Sequence, residues 1–131
     1  MTVYKINDLV KFDFIKIPKT LFANPKYKKM SSDAKLTYAL LYDRLSLSIQ
    51  NNWINADGEV YLVYTRGAIA EDLGITYKKA IAAFKELKEN NLIIDKQCGH
   101  GMPNYIFIVK PELSDTEAKK YTNKENSRPA E

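Results

Sequence analysis

At 131 residues with 45% hydrophobic side chains, the chain can bury one compact core and is too short for two ordinary domains. Twenty Lys and Arg against sixteen Asp and Glu give +4, and the excess sits in residues 1–110, with 16 basic and 11 acidic side chains, whereas 111–131 hold 4 and 5. One histidine and one cysteine leave almost no room for a metal site or a nucleophile–base pair, so neither an enzyme nor a cofactor is expected. The single Cys98 and the lack of a signal peptide or long apolar run point to a reducing cytoplasm and no membrane partner.

In chain order, "DFIKIPKTLF" (13–22) alternates and then meets Pro18, which reads as an extended arm followed by a turn or short helix packed on the body. Residues 1–22 are assigned to this N-terminal arm. Lys26, Lys28 and Lys29 form a basic cluster that suits either a phosphate or a solvated loop. Ser32 is placed as the N-cap of a long amphipathic helix whose Leu36, Leu40 and Leu47 face the core. Asp57 and Gly58 signal a turn, and "VYLVY" (60–64) is rich enough in β-branched and aromatic residues to be a strand. Trp53, Tyr38, Tyr42, Tyr61 and Tyr64 are read as structural, since aromatics at helix or strand spacing bury large areas.

The next segment carries the functional signal. Thr65 caps a helix over "RGAIAEDL", Gly74 ends it, Thr76 caps the next, and Tyr77 to Asn90 runs on as a second helix. Ile69, Ala70, Leu73, Gly74 and Ile75 supply the apolar, small, apolar, turn and apolar positions of a helix-turn-helix. "LIIDKQ" and "NYIFIVK" then flank "CGHGMP" as a hairpin. The order of elements predicts an α+β fold, a winged helix-turn-helix with an extended N-terminal arm.

With Ala80, Ala83, Phe84 and Leu87 turned inward, a helical wheel leaves Lys78, Ala82 and Lys85 outward, and Tyr77 and Lys79 exposed in the first turn. Lysines oppose the positive end of a helix dipole, so a cost there needs an offset. Recognition helices enter the major groove by their N-terminal residues, where phosphates and base edges supply it. Ala82 lets the backbone approach a groove. Lys96 and His100 are the wing's polar candidates for a minor-groove contact.

"IPKTLF", "YKKMSSDAKLTYALLYDRLSLSIQNNWINADGEVYLVYTR", "LKENNLI" and "GMPNYIFI" together resemble the N-terminal domain of the RepA_N family of plasmid replication initiators from low-GC Gram-positive bacteria, over about residues 12–110. Asn55 and Asn91 depart from the expected pattern, where aspartate and glycine are anticipated. The resemblance implies sequence-specific binding of double-stranded DNA at repeated origin sites. The outward face of the second helix then puts Lys78, Lys79 and Lys85 on phosphate or guanine and Tyr77 on a hydroxyl or methyl contact, and Arg66, at the start of the preceding helix, on a phosphate. It also implies a homodimer paired through the arm (Val10 to Phe22) or the long helix, and host replication proteins recruited through a further C-terminal domain.

On this reading residues 23–110 are the winged-helix domain. Residues 111–131, polar and charged, are a flexible linker toward that C-terminal domain, and the chain is a fragment. A winged-helix transcriptional repressor and a winged-helix protein-interaction module are the alternatives; the repressor would share every local feature, and the long string from Ala34 to Ile54 argues for the initiator over it.

Overall fold

A computed structural model describes residues 2–8 and 13–126, with side chains described through residue 120. Residues 9–12, which include Val10 of the expected arm, and the last five residues of the expected linker lie outside the described residues.

Two short helices, α1 (Thr20–Ala23) and α2 (Pro25–Lys28), follow the arm. Asn24 ends the first and caps the second by accepting from the Lys26 amide at 3.0 Å, and Pro25 fits the first helical position because its missing N–H is needed by no one there. Of the arm, Ile17 packs on the core while Phe14 and Ile15 stay exposed. Next comes α3 (Ser32–Asp43), capped by Ser31, whose hydroxyl accepts from the Ala34 amide at 3.1 Å. The cap is therefore one residue earlier than expected. The long helix also breaks at Arg44, and α4 (Leu45–Gln50) continues separately.

The inward face of α3 differs from the leucine stripe that hydrophobicity suggests. Ala34, Thr37, Tyr38 and Leu41 are buried, whereas Leu36 is 42% and Leu47 45% exposed and Leu40 only half-buried. Two polar-tipped residues are tolerated inside because each finds a partner. The Thr37 hydroxyl donates back to the Asp33 carbonyl at 2.7 Å, and the Tyr38 hydroxyl donates to the Val109 carbonyl at 2.9 Å.

Between α4 and the next helix the chain makes two isolated bridges, Ile54 to Val60 and Leu62 to Ile106. The expected strand over 60–64 is thus reduced to two isolated bridge residues, Val60 and Leu62. The chain must turn at Thr65 to start α5 (Arg66–Leu73), which leaves no length for a ladder. Then follow α6 (Tyr77–Glu89) and the hairpin of β1 (Ile93–Lys96) and β2 (Tyr105–Ile108), antiparallel with Ile93 opposite Ile108 and Lys96 opposite Tyr105. Helices α3, α5 and α6 pack on one another, and α6 also packs on β1. With Leu62 bonded to Ile106 in both directions, at 2.9 and 2.8 Å, this is a winged helix with a minimal third strand.

Both α5 and α6 end in the same way. Gly74 (φ +68°) and Asn91 (φ +57°) take the left-handed conformation, and the following amides of Ile75 and Leu92 reach back to the Ala70 and Leu87 carbonyls at 3.0 and 2.9 Å. Asparagine tolerates that conformation best after glycine, so Asn91 does the work of the missing glycine.

The expectation of a flexible linker from residue 111 is corrected. Residues 111–114 are strapped to α1 and α2, and α7 (Asp115–Asn126) follows. The Glu112 carbonyl accepts from the Thr20 hydroxyl (3.0 Å) and the Asn24 amide (2.9 Å), and the Glu112 amide donates to the Tyr27 hydroxyl at 2.9 Å. Ser114 and Glu117 form a reciprocal capping box, each side chain accepting the other's backbone N–H at 3.2 Å. Glu117 also accepts from the Thr20 hydroxyl at 2.8 Å, which holds its carboxyl below the usual range.

Burial pushes the Tyr38 phenol up to about 12, from an ordinary value of 10.0. The fold favours the neutral phenol, so this stabilisation is complete below pH 10 and is lost as pH rises toward 12. In denaturant titrations the parent should therefore lose stability relative to Tyr38→Phe across that window, with a constant difference at lower pH. A difference that stays constant to pH 12 would contradict the burial of this hydroxyl.

Candidate nucleic-acid interface

The two helices of the helix-turn-helix each start at a local cap. Thr65 and Thr76 have extended backbones, and their hydroxyls accept from the Ala68 and Lys79 amides at 3.1 and 3.2 Å. Ile69 and Ala70 of α5 are buried, as are Ala80, Ala83, Phe84 and Leu87 of α6, while Leu73 and Ile75 pack partly against the same core.

Burial of that stripe forces the remaining positions of α6 outward. Tyr77, Lys78, Lys79, Ala82 and Lys85 are all exposed, so the sequence-predicted recognition face forms one surface. Ile81, which the wheel argument passed over, belongs to it and is 42% exposed. A plain hydropathy reading of α6 assigns any isoleucine inward; the spacing of Lys78 and Lys85, three residues before and four after, was the available signal.

One flank of α6 is pinned to the start of α3. The Ser31 amide donates to Glu86 at 2.9 Å, and the Ser31 hydroxyl bonds the same carboxylate. Lys28 and Lys29, three and two residues before Ser31 in the chain, are exposed. Lys26 is drawn away from that cluster by its ion pair with Glu112 at 2.8 Å, and the bond raises its pKa. Lys35 turns back to the Lys28 carbonyl at 3.1 Å, across the Phe22 ring.

Arg66, expected to hold a phosphate, is engaged within the fold. Its guanidinium donates to Asp95 Oδ2 at 2.7 Å and lies 4.5 Å from the centre of the Phe84 ring. The Asp95 side chain is 2% exposed, its Oδ1 has no hydrogen-bond partner, and Lys88 Nζ stands 3.8 Å from its Oδ2. The pair ties β1 of the wing to the start of α5 and the end of α6. A sequence reading sees Arg66 at a helix start and cannot see a carboxylate 29 residues away.

On the wing, Lys96 and His100 are exposed. Beside them Tyr105 stacks on Tyr61 at 4.2 Å between ring centres, and Tyr61 lies parallel to Trp53 at 6.2 Å. Of the aromatics expected to be structural, Trp53 and Tyr61 brace the base of the hairpin, Tyr38 and Tyr64 are buried, and Tyr42 is 46% exposed. Cys98 turns inward to the Lys96 carbonyl, 3.7 Å from its sulfur.

The family described as "Replication initiator protein A (RepA) N-terminus" matches residues 13–123. The chain belongs to the RepA_N family. A relative from Lactobacillus helveticus, described as a 41 kDa protein, is 31% identical over 110 residues, which is 79% of this chain and 31% of the relative. This RepA_N chain therefore spans about a third of that relative's length. Among solved structures, an N-terminal domain of a DNA-binding protein superposes with a TM-score of 0.77 at 32% identity, covering 99% of both chains. A Rep–DNA complex gives 0.76 at 32% identity over 99% of this chain and all of that one, and an MDR initiator gives 0.74 at 35% over 96% and 100%.

The part played by Arg66 has a direct test. Arg66→Ala leaves Asp95 buried without its guanidinium, and breaking such a pair costs about 3 kcal/mol or more. Thermal melting should fall by several degrees while the salt dependence of any DNA binding keeps its slope. A parent-like melt with a flattened slope would return Arg66 to the phosphate contacts.

Proposed function

We propose that this chain is the DNA-reading domain of a replication initiator and binds double-stranded DNA sequence-specifically at repeated sites of a plasmid origin, without chemistry of its own. The observation that carries the reading is the basic outward face of α6, held on a winged helix whose family is that of replication initiators. The likeness to a solved Rep–DNA complex over nearly the whole chain supports it.

On this reading α6 enters the major groove by its first turns. Lys78, Lys79 and Lys85 meet phosphates or guanine edges, Tyr77 offers a hydroxyl or a methyl contact, and Ala82 allows close approach. Lys28 and Lys29 reach neighbouring phosphates, and Lys96 and His100 extend the contact from the wing. The protein works in the cytoplasm as a homodimer, and a further C-terminal domain engages host replication proteins. For the dimer, exposed Phe14 and Ile15 of the arm and Tyr42 of α3 are suitable apolar groups; Tyr42 lines a groove of about 530 Å³ with Pro18, Leu45 and Ile108. Two-fold symmetry then places half-sites about one DNA turn, or a multiple of it, apart.

Footprinting on the parent replicon tests the proposal, with protection expected inside the origin. Protection confined to a promoter would favour a repressor. On the protected duplex, Lys78→Ala or Lys79→Ala should weaken binding by about 1–3 kcal/mol for a base contact, or lower the salt slope by about 1 for a phosphate contact. If both variants kept the parent's affinity and slope, α6 would not be the reading helix.

A further inference from the structure

The outward face of α6 is not uniformly polar. On one side of the line from Lys78 to Lys85 lies Ile81, 42% exposed, three residues after the first and four before the second, with Ala82 on the other side of that line. These four share one surface of the helix, since residues three and four apart are neighbours there. The inward side of α6 is already filled by Ala80, Ala83, Phe84 and Leu87, so the exposed part of Ile81 has no place in the core. A branched apolar side chain also gives a helix nothing by propensity that alanine or lysine would not.

Two cations flanking an apolar centre match the major groove of DNA, where phosphates border the base edges. The apolar group that those edges present is the C5 methyl of thymine. We infer that Ile81 is a specificity-determining residue, packing on a thymine methyl while Lys78 and Lys85 hold the bordering phosphates or base edges. This rests on the reading of α6 as the recognition helix and adds to it a base identity at one position of the half-site. Ile81 and Ala82 together present aliphatic surface with no hydrogen-bonding group, so a cytosine at that position meets no partner for its N4 amine and offers no methyl.

The probe is a duplex recovered by residues 1–131 from a random 20-base-pair pool. Each thymine in the recovered site is replaced singly by deoxyuridine, which removes only the methyl. At one position the parent should bind about fourfold more weakly, the worth of one buried methyl-sized group. Ile81→Ala should bind the thymine duplex more weakly than the parent and respond equally to thymine and uracil at that position. Because each comparison is made within one variant, any loss of stability in Ile81→Ala cancels, and Ile81→Val should keep part of the methyl preference. An Ile81→Ala variant with the same uracil penalty as the parent, or a parent with no penalty at any thymine, overturns the inference. Lys78→Ala and Lys85→Ala measured in parallel separate the two levels: weakened binding in those variants leaves the recognition helix standing even if the assignment of Ile81 falls, whereas undiminished binding removes both.

Discussion

The phase of α6 governs everything the molecule presents to a partner. Ala80, Ala83, Phe84 and Leu87 are each essentially buried against α3, α5 and the hairpin, and a helix has no freedom to bury one stripe without exposing the opposite one. The alanines matter as much as the large side chains, because their small size lets α3 and α5 approach closely. Shifting the buried stripe of α6 by one residue toward its C-terminus would bury Lys85 and Lys88 and expose Leu87, and the desolvated charges alone make that state inaccessible. The basic face is therefore a consequence of core packing and needs no further device to orient it.

Three fasteners keep that face in place relative to the rest. The Ser31–Glu86 contact joins α6 to the cap of α3, so the same serine terminates one helix and anchors another. The Arg66–Asp95 pair joins the wing to the helix-turn-helix, and its cost in desolvation is partly offset by the Phe84 ring under the guanidinium. The left-handed turn at Gly74 fixes the angle between α5 and α6. Among the described residues, the strap through Glu112 makes its hydrogen bonds to Thr20, Asn24, Lys26 and Tyr27 and not to α6. It binds the outgoing chain to α1 and α2, and so sets the direction in which the polypeptide leaves the domain.

What could be read in the sequence was what local chemistry decides. Thr65, Gly74 and Thr76 punctuate the helix-turn-helix within a few residues, and the hairpin is bounded by its glycines, so both were legible along with the outward lysines. The family was legible from a long string of residues and not from any one of them. What failed depended on partners distant in sequence. The face of α3 turned on Tyr38 finding the Val109 carbonyl, and Arg66 turned on Asp95. The tail was misread for a different reason: composition was weighed and the Ser114–Glu117 capping box, a local signal, was passed over. The paired length of 60–64 followed from how soon α5 begins, which propensity does not report.

The central claim is that the face of α6 bearing Lys78, Ala82 and Lys85 lies against DNA. It is tested most directly by placing a cleavage reagent on that face: Ala82→Cys in a Cys98→Ser background, coupled to an iron chelate, on a duplex that the parent protects. The account predicts strand cleavage at the centre of the protected half-site, with none from the same reagent at Ile49→Cys on α4. Cleavage from position 49 inside the site, with none from position 82, would contradict it.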